Sequence, residues 1–335
     1  MRVRAGRIVS DGMTAASVVR DDTPMPGPSR GLATDPVQAI LNTAENSVLA
    51  LVAGVEGPSY RPLGAMMAVL GGNRRVGSLS SGCIESDISA QAMQTLQAGI
   101  PRMLRYGRGS PFIDIQLPCG GGLDILLLPK PDREVCTRLQ YLRRARKPCA
   151  LSIALDSGTI TVTDPVPTYR DDLKLSVLFE PPLRFLTFGK GPEASTFSAL
   201  VQSAGYPNLL LSPDGETLDQ AAAAGCETRP LARPQFPSDL EVDARSAIVL
   251  FFHDHDWEPP LLAGALRSPA FYIGAQGSMR ARDQRLSALR EMAVAEADLA
   301  RLFGPVGLIR SARDPGTLAV SVLAEVLAQA MTSAA

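Results

Sequence analysis

Short apolar runs bounded by glycine, proline or asparagine alternate with helically spaced apolar positions along most of the chain. Behind Asp35-Pro36, which has the form of a helix start, Val37, Ile40 and Leu41 recur at helical spacing. Val48 to Val52 and Ala65 to Leu70 are short enough to predict buried strands, and Gly71-Gly72-Asn73 supplies the turn after the second. A helix is predicted from Ile84 to Gly99, carried by Ile84, Ile88, Met93 and Leu96 and stopped by the glycine. Strands at Phe112 to Leu117 and Leu123 to Leu128 follow, then a helix from Asp132 to Lys147. Ala150 to Val162 reads as a hairpin turning at Asp156-Ser157-Gly158. The polar stretch Tyr169 to Lys174 and then Pro181-Pro182 mark an interdomain boundary. Beyond it, strands at Leu183 to Phe188, Asn208 to Leu211, Ser246 to Phe252 and Phe271 to Ile273 alternate with helices at Pro192 to Ala204, Leu218 to Ala224, Ser278 to Met292 and Thr317 to Ala330. That alternation predicts a doubly wound parallel sheet. The expected fold class is α/β: an N-terminal mixed α/β domain over 36–180, then a Rossmann-like parallel-sheet domain over 181–335. Residues 1–35 are expected to be a poorly ordered extension, because the turn-rich Thr23 to Ser29 stretch can bury little apolar area.

Composition narrows the function class. The 335 residues fit two domains, and a net charge of -1 with 5% aromatic residues gives no electrostatic or stacking footprint for nucleic acid. The apolar runs fall short of the roughly 18 residues of a membrane span, so none is expected. Five cysteines without a CxxC pair fit a reducing compartment, and residues 1–36 lack the apolar core of a secretory signal. A cytoplasmic protein acting on small molecules or protein partners is expected.

Candidate chemistry gathers at glycines. Cys119 precedes Gly120, Gly121 and Gly122, so a ligand can approach the backbone beside a thiol that is either a soft metal ligand or a nucleophile. Cys83, in Ser80-Ser81-Gly82-Cys83-Ile84-Glu85, falls at a predicted helix N-terminus, where the dipole favours thiolate. Cys136, Cys149 and Cys226 lack such settings and read as structural. Gly189-Lys190-Gly191-Pro192-Glu193-Ala194 has the GxGxxA form between a strand and a helix, the context of a dinucleotide-binding turn. An acidic residue is expected about 20 positions on, but Ser212 occupies that strand end and Asp214 comes later. Gly274, Gly277, Ser278 as N-cap and Arg280 outline a second anion site, with Arg282 and Arg285 either beside it or on a solvated face. His253 and His255, in His253-Asp254-His255-Asp256 after a strand, form either an incomplete metal set or a hydrogen-bonded loop.

Taken in order, Ser59 to Met67, Gly77 to Glu85 and Pro118 to Gly121 resemble the N-terminal blocks of the XdhC/CoxI family of xanthine dehydrogenase accessory proteins. His253 to Asp256, Tyr272 to Ser278, Gly304 to Leu308 and Pro315 to Glu325 resemble its later blocks, so the resemblance spans about residues 37 to 330. It implies a protein that binds molybdenum cofactor (molybdopterin), assists its sulfuration and delivers it to a xanthine dehydrogenase-type molybdenum hydroxylase apoenzyme. Such a protein is a carrier more than a turnover enzyme, and a homodimer and a cysteine desulfurase partner are expected with it. Carried over, Cys83, Glu85 and Cys119 lie at the metal or sulfur end, while Gly189, Gly191, Gly274 and Gly277 approach phosphate or nucleotide. Ser81 departs from a usual glycine, Pro192 from a frequent histidine and Ser212 from a usual acidic residue; the last two weaken the expectation of a bound nucleotide. Two other classes stay open: an NAD(P)-dependent oxidoreductase built on the parallel-sheet domain, and a metal-dependent hydrolase using His253 and His255.

Overall fold

A computed structural model describes residues 19–20, 35–80, 82, 84–110, 120–252 and 256–332. Backbone contacts divide the chain into two compact units, the chain passing from one to the other between Phe179 and Glu180. Of residues 1–34 only Val19–Arg20 (β1) is described.

In the first unit, β2 (Val48–Glu56), β3 (Met66–Val69), β4 (Arg75–Gly77), β5 (Arg102–Gly107) and β6 (Gly122–Pro129) form an antiparallel sheet in the order β4-β3-β2-β6-β5. The apolar run of β2 is continuous because both its faces are covered. Val48, Ala50 and Val52 pack with Ile84, Ile88 and Ala92 under α2 (Glu85–Ala98). Leu49, Leu51 and Ala53 face the other way, with α1 (Pro36–Leu41) and α3 (Arg133–Arg144). α2 ends at Gly99, whose left-handed conformation (φ 71°) closes the helix as the sequence predicts.

A second antiparallel sheet of the same unit runs β1-β9-β10-β7-β8, where β7 is Cys149–Ala154, β8 Ile160–Thr163, β9 Tyr169–Arg170 and β10 Lys174–Phe179. The polar stretch 169–174, expected at the boundary, is therefore strand and turn inside this unit. Its polarity belongs to the turn: Asp171 accepts from the N–H groups of Leu173 (2.9 Å) and Lys174 (2.8 Å), after which Leu175 and Val177 point into the core. The strand expected over 112–117 lies outside the described residues.

The second unit is a parallel sheet with helices on both faces. β11 (Arg184–Gly189), α4 (Pro192–Ser203), β12 (Asn208–Ser212), α5 (Gly215–Ala223), β13 (Glu227–Pro230), β14 (Ser246–Phe251), α6 (Glu258–Leu266), β15 (Tyr272–Ala275), α7 (Met279–Glu291), α8 (Glu296–Leu299), β16 (Leu302–Phe303) and α9 (Pro315–Thr332) follow in chain order. The strand order β13-β12-β11-β14-β15-β16 reverses direction between β11 and β14, which makes a topological switch point there. Along β14, Ala247, Val249 and Phe251 pack toward α4 and α9, and Ile248 and Leu250 toward α6. α9 is long and apolar enough, by length and composition, to cross a membrane. Its Ala319, Val322 and Val326 lie instead in the core shared with Phe197 and Val201 of α4.

Candidate functional site

In the first unit, Glu85 organises the chain ahead of α2. The residue is 6% exposed and its carboxylate is surrounded by donors. Oε1 accepts from Ser78 Oγ (2.9 Å) and from the N–H groups of Leu79 (3.3 Å) and Ser80 (2.8 Å); Oε2 accepts from Ser80 Oγ (2.7 Å) and the Ile84 N–H (3.3 Å). Burial pushes the carboxyl pKa up, but the Ser80 and Ser78 donors outweigh it and bring it down to about 2. Glu85, expected at the metal or sulfur end, thus spends both oxygens inside the protein as a clamp on residues 78–80 and Ile84. Cys83 itself lies outside the described residues, as does Cys119.

Strand register puts the two cysteine-flanking segments on the same sheet at different levels, Gly77 level with Met67 and Ala50 and Gly122 level with Glu56. Gly77, the last residue of β4, pairs with Met67, and β4 runs in the same sense as β2; Gly122, the first residue of β6, pairs with Glu56 at the end of β2. The glycines before β6 do different things. Gly120 is exposed and left-handed (φ 69°), with nothing within 4 Å of where a Cβ would stand, so the backbone is open there. Gly121 is buried: a Cβ would lie 2.4 Å from Pro58 O and 2.8 Å from Glu56 O. Beside them, Asp124 bridges Arg105 (3.2 Å) and Arg170 (2.8 Å), and Glu56 pairs with Arg105 and Arg108. Three arginines against two carboxylates leave a positive excess next to the open turn, a network the sequence pattern did not reveal.

The two glycine-rich turns of the second unit look alike in sequence and differ in structure. In the first, a Cβ on Gly189 would stand 2.7 Å from Ala194 Cβ and 2.8 Å from Phe251 O, so both small residues serve strand–helix packing. The Gly191 N–H donates to Thr217 Oγ1 (2.9 Å), Pro192 has no N–H, and Glu193 puts a carboxylate in the first turn of α4. A phosphate would find few donors there. Ser212, in place of the acidic residue, is buried and its Oγ accepts from the Asp214 N–H (3.0 Å). Asp214 caps α5, accepting from Thr217 N (2.9 Å) and Oγ1 (2.5 Å). A cleft of about 120 Å³ opens beside this turn, lined by Lys190, Pro213, Asp214, Phe252 and Trp257.

In the second turn, Gly274 lies inside β15, where a Cβ would collide with Val306 and the Tyr272 ring. Its missing side chain makes room for packing, not for the phosphate that the motif suggested. Gly277 (φ 140°) and Ser278 are exposed, and Ser278 Oγ caps α7 by accepting from the Ala281 N–H (3.2 Å). The first turn of α7 holds no acidic residue, Arg280 is exposed, and Arg285 is buried beneath the turn. Behind it, Glu325 accepts from the Tyr272 hydroxyl (2.6 Å) and the Gly307 N–H (2.5 Å), tying α9 to the loop after β16. Burial and then Glu325 hold the Tyr272 phenol far above its ordinary pKa.

His253 and His255 lie outside the described residues, and among the described residues no group of three or more His, Cys, Asp or Glu could hold a metal ion. Cys136, Cys149 and Cys226 are buried, and burial raises all three thiols, Cys136 to about 11. Those three behave as structural residues.

Comparison with known proteins completes the picture. The XdhC Rossmann domain model matches residues 185–326, and the XdhC and CoxI family model matches residues 40–107. The molybdenum cofactor insertion chaperone PaoD of Escherichia coli K12 is 32% identical over 313 residues, 89% of this chain and 90% of that one. The chain belongs to the XdhC and CoxI family. Another relative, a probable xanthine dehydrogenase subunit of Bacillus subtilis 168, is 24% identical over 87% of this chain and 95% of its own length. A crystal structure described as a xanthine dehydrogenase from Bacillus halodurans has the same fold, with a TM-score of 0.71 at 21% identity over 88% of this chain and 95% of that one.

Proposed function

We propose that this XdhC and CoxI family member is a molybdenum cofactor chaperone that assists sulfuration and insertion of the cofactor into a xanthine dehydrogenase-type molybdenum hydroxylase. The observation that carries the reading is its identity, across both units, to a protein named for molybdenum cofactor insertion. The geometry supports it in kind. A cargo with a phosphate at one end and sulfur-bound metal at the other needs an anion-friendly turn and an open backbone near thiolates. Each unit, taken by itself, holds one of these features: the second the turn at Gly277–Arg280, the first Gly120 and the Glu85 clamp, whose flanking sequence holds Cys119 and Cys83. In this reading the two thiols hold the sulfur or metal end, a cysteine desulfurase is the sulfur source, the molybdenum hydroxylase apoenzyme is the recipient, and the carrier acts as a homodimer in the cytoplasm. Mass spectrometry of small molecules released from protein made in cells that synthesise the cofactor tests it directly. A pterin is expected; its absence, together with no transfer to an apoenzyme lacking cofactor, would refute the reading.

A nicotinamide-nucleotide oxidoreductase is favoured by one feature, the cleft at the switch-point side between Lys190, Asp214 and Trp257. It predicts NAD(P) binding and a substrate-dependent absorbance change. Pro192, Glu193 and the occupied Gly191 N–H weigh against it.

A further inference from the structure

Among the described residues Arg285 is the charged side chain that the fold hides most completely, at 2% exposure. Its Nη2 donates to Glu258 Oε1 (2.9 Å) at the start of α6 and to Gln276 O (2.6 Å) in the turn before α7. Among the described residues its Nε and Nη1 have no hydrogen-bond partner. Unsatisfied buried donors on a cation are costly, and a native structure keeps them where something outside the chain supplies the acceptor. Two glycines cover the guanidinium with backbone alone. A Cβ on Gly304 would stand 3.2 Å from Nη1, and one on Gly277 would stand 3.3 Å from Nη2. The space those side chains would fill is therefore within reach of the guanidinium, and Gly277 itself is exposed.

The same turn opens α7, a helix of 13 residues whose first-turn amides at Met279 and Arg280 have no partner within the helix. Ser278 caps through Ala281, no carboxylate stands in the first turn, and Arg280 and Arg282 follow. The first glycine turn has the opposite character, with its Gly191 amide taken and Glu193 beside it.

We propose that the β15–α7 turn, and not the GxGxxA turn, is the phosphate site of this chain, with Arg285 as the buried cation beneath it and Arg280 as the exposed one. The backbone amides grip the phosphate oxygens, and Nη1, the spare Arg285 donor beside Gly304, meets one of them. The binding itself needs no molybdenum; only the owner of the phosphate, pterin or nucleotide, rests on the function proposed above.

Titration of the full-length protein with inorganic pyrophosphate, followed by calorimetry and by fluorescence of Trp257, the single tryptophan and the neighbour of Glu258, reads the site. Arg280→Glu, at an exposed position that should not disturb folding, is expected to weaken pyrophosphate about tenfold, as is Arg285→Lys, which keeps the charge but loses the fork. Arg267→Glu, at the far end of α6, controls for net charge and keeps wild-type affinity. The assignment is overturned if the wild type does not bind pyrophosphate, or if Lys190→Glu abolishes binding while Arg280→Glu and Arg285→Lys do not. Pterin retained equally by wild type and both arginine variants also overturns it while sparing the carrier function. The expected pyrophosphate pattern in a protein that never carries pterin supports the site and removes the carrier reading.

Discussion

Replacing Glu85 by glutamine keeps the shape of the side chain and removes one acceptor and the charge. The amide oxygen can take the place of Oε1 and still face Ser78, Leu79 and Ser80. The amide nitrogen then faces the Ile84 N–H, donor against donor, in a place that is 6% exposed. Losing charge-assisted bonds and leaving a buried donor unmet costs about 1–3 kcal/mol. The carboxyl pKa gives a second figure: the drop from 4.5 to about 2 corresponds to about 3 kcal/mol of stabilisation by the ionised form. The two agree on about 2–3 kcal/mol. At roughly 2–4 °C per kcal/mol for a unit of this size, Glu85→Gln should lower the melting temperature of the first unit by about 5–10 °C.

The pH dependence follows from the sign of the shift. A depressed folded pKa stabilises above the unfolded value of 4.5 and loses its effect as pH falls toward 2, because the unfolded state then binds the extra proton. About 2 kcal/mol of the wild-type advantage should be gone by pH 3, and glutamine has nothing to titrate. Urea denaturation of both proteins at pH 7, 5, 4 and 3, followed by far-UV circular dichroism, should show curves far apart at neutral pH that converge in acid. A melting-temperature difference below about 2 °C at pH 7, or a gap that stays constant down to pH 3, would refute the clamp.

Other perturbations have defined outcomes. Tyr272→Phe removes a buried hydroxyl from Glu325 and should cost about 2 kcal/mol, seen as a lower urea midpoint for the second unit with an unchanged slope. Asp214→Ala removes the cap of α5 and should cost about 1 kcal/mol by the same measurement, with no pterin lost if the cargo phosphate sits at the β15–α7 turn. Cys119→Ala should leave thermal unfolding unchanged but reduce cofactor retention or transfer to an apoenzyme; equal transfer by both proteins would remove Cys119 from the site.

What could be read from the chain alone depended on how locally each feature is determined. β2, β3 and the parallel strands β11, β12 and β14 carry apolar runs dense enough to declare themselves, and Gly99 stops α2 through its own conformation. β5 escaped because only Leu104 and Tyr106 of its six residues are buried, and β16 because it has two residues. The stretch 169–174 misled because turn polarity and linker polarity look the same until Asp171 is seen capping a hairpin. At the candidate site Glu85 drew notice in the sequence, but its structural role did not. Glu85 stands out in sequence for its neighbour Cys83, yet its role comes from serines five and seven residues back, which fold around its oxygens. Ser78 and Ser80 were the signal available for that clamp.

The two glycine turns show why a motif fixes architecture more firmly than ligand. A glycine is required wherever a Cβ would strike something, and what it would strike distinguishes the reasons: protein atoms for Gly189 and Gly274, open space for Gly120. By that measure the GxGxxA turn here is a packing joint. Pro192 without an N–H, Ser212 in place of a carboxylate, and Thr217 filling the Gly191 amide are mutually consistent, since each withdraws a contact that a nucleotide would use. A chain that closed this turn with its own side chains would still need donors for an anionic cargo. Among the described residues, a candidate at that edge of the second sheet is the turn where the chain leaves a cap, an acid-free first turn and a buried guanidinium with two unspent donors. The departures from the dinucleotide pattern and the spare donors of Arg285 are both accounted for by the site proposed above, with the phosphate held at the turn after β15 and not at the turn after β11.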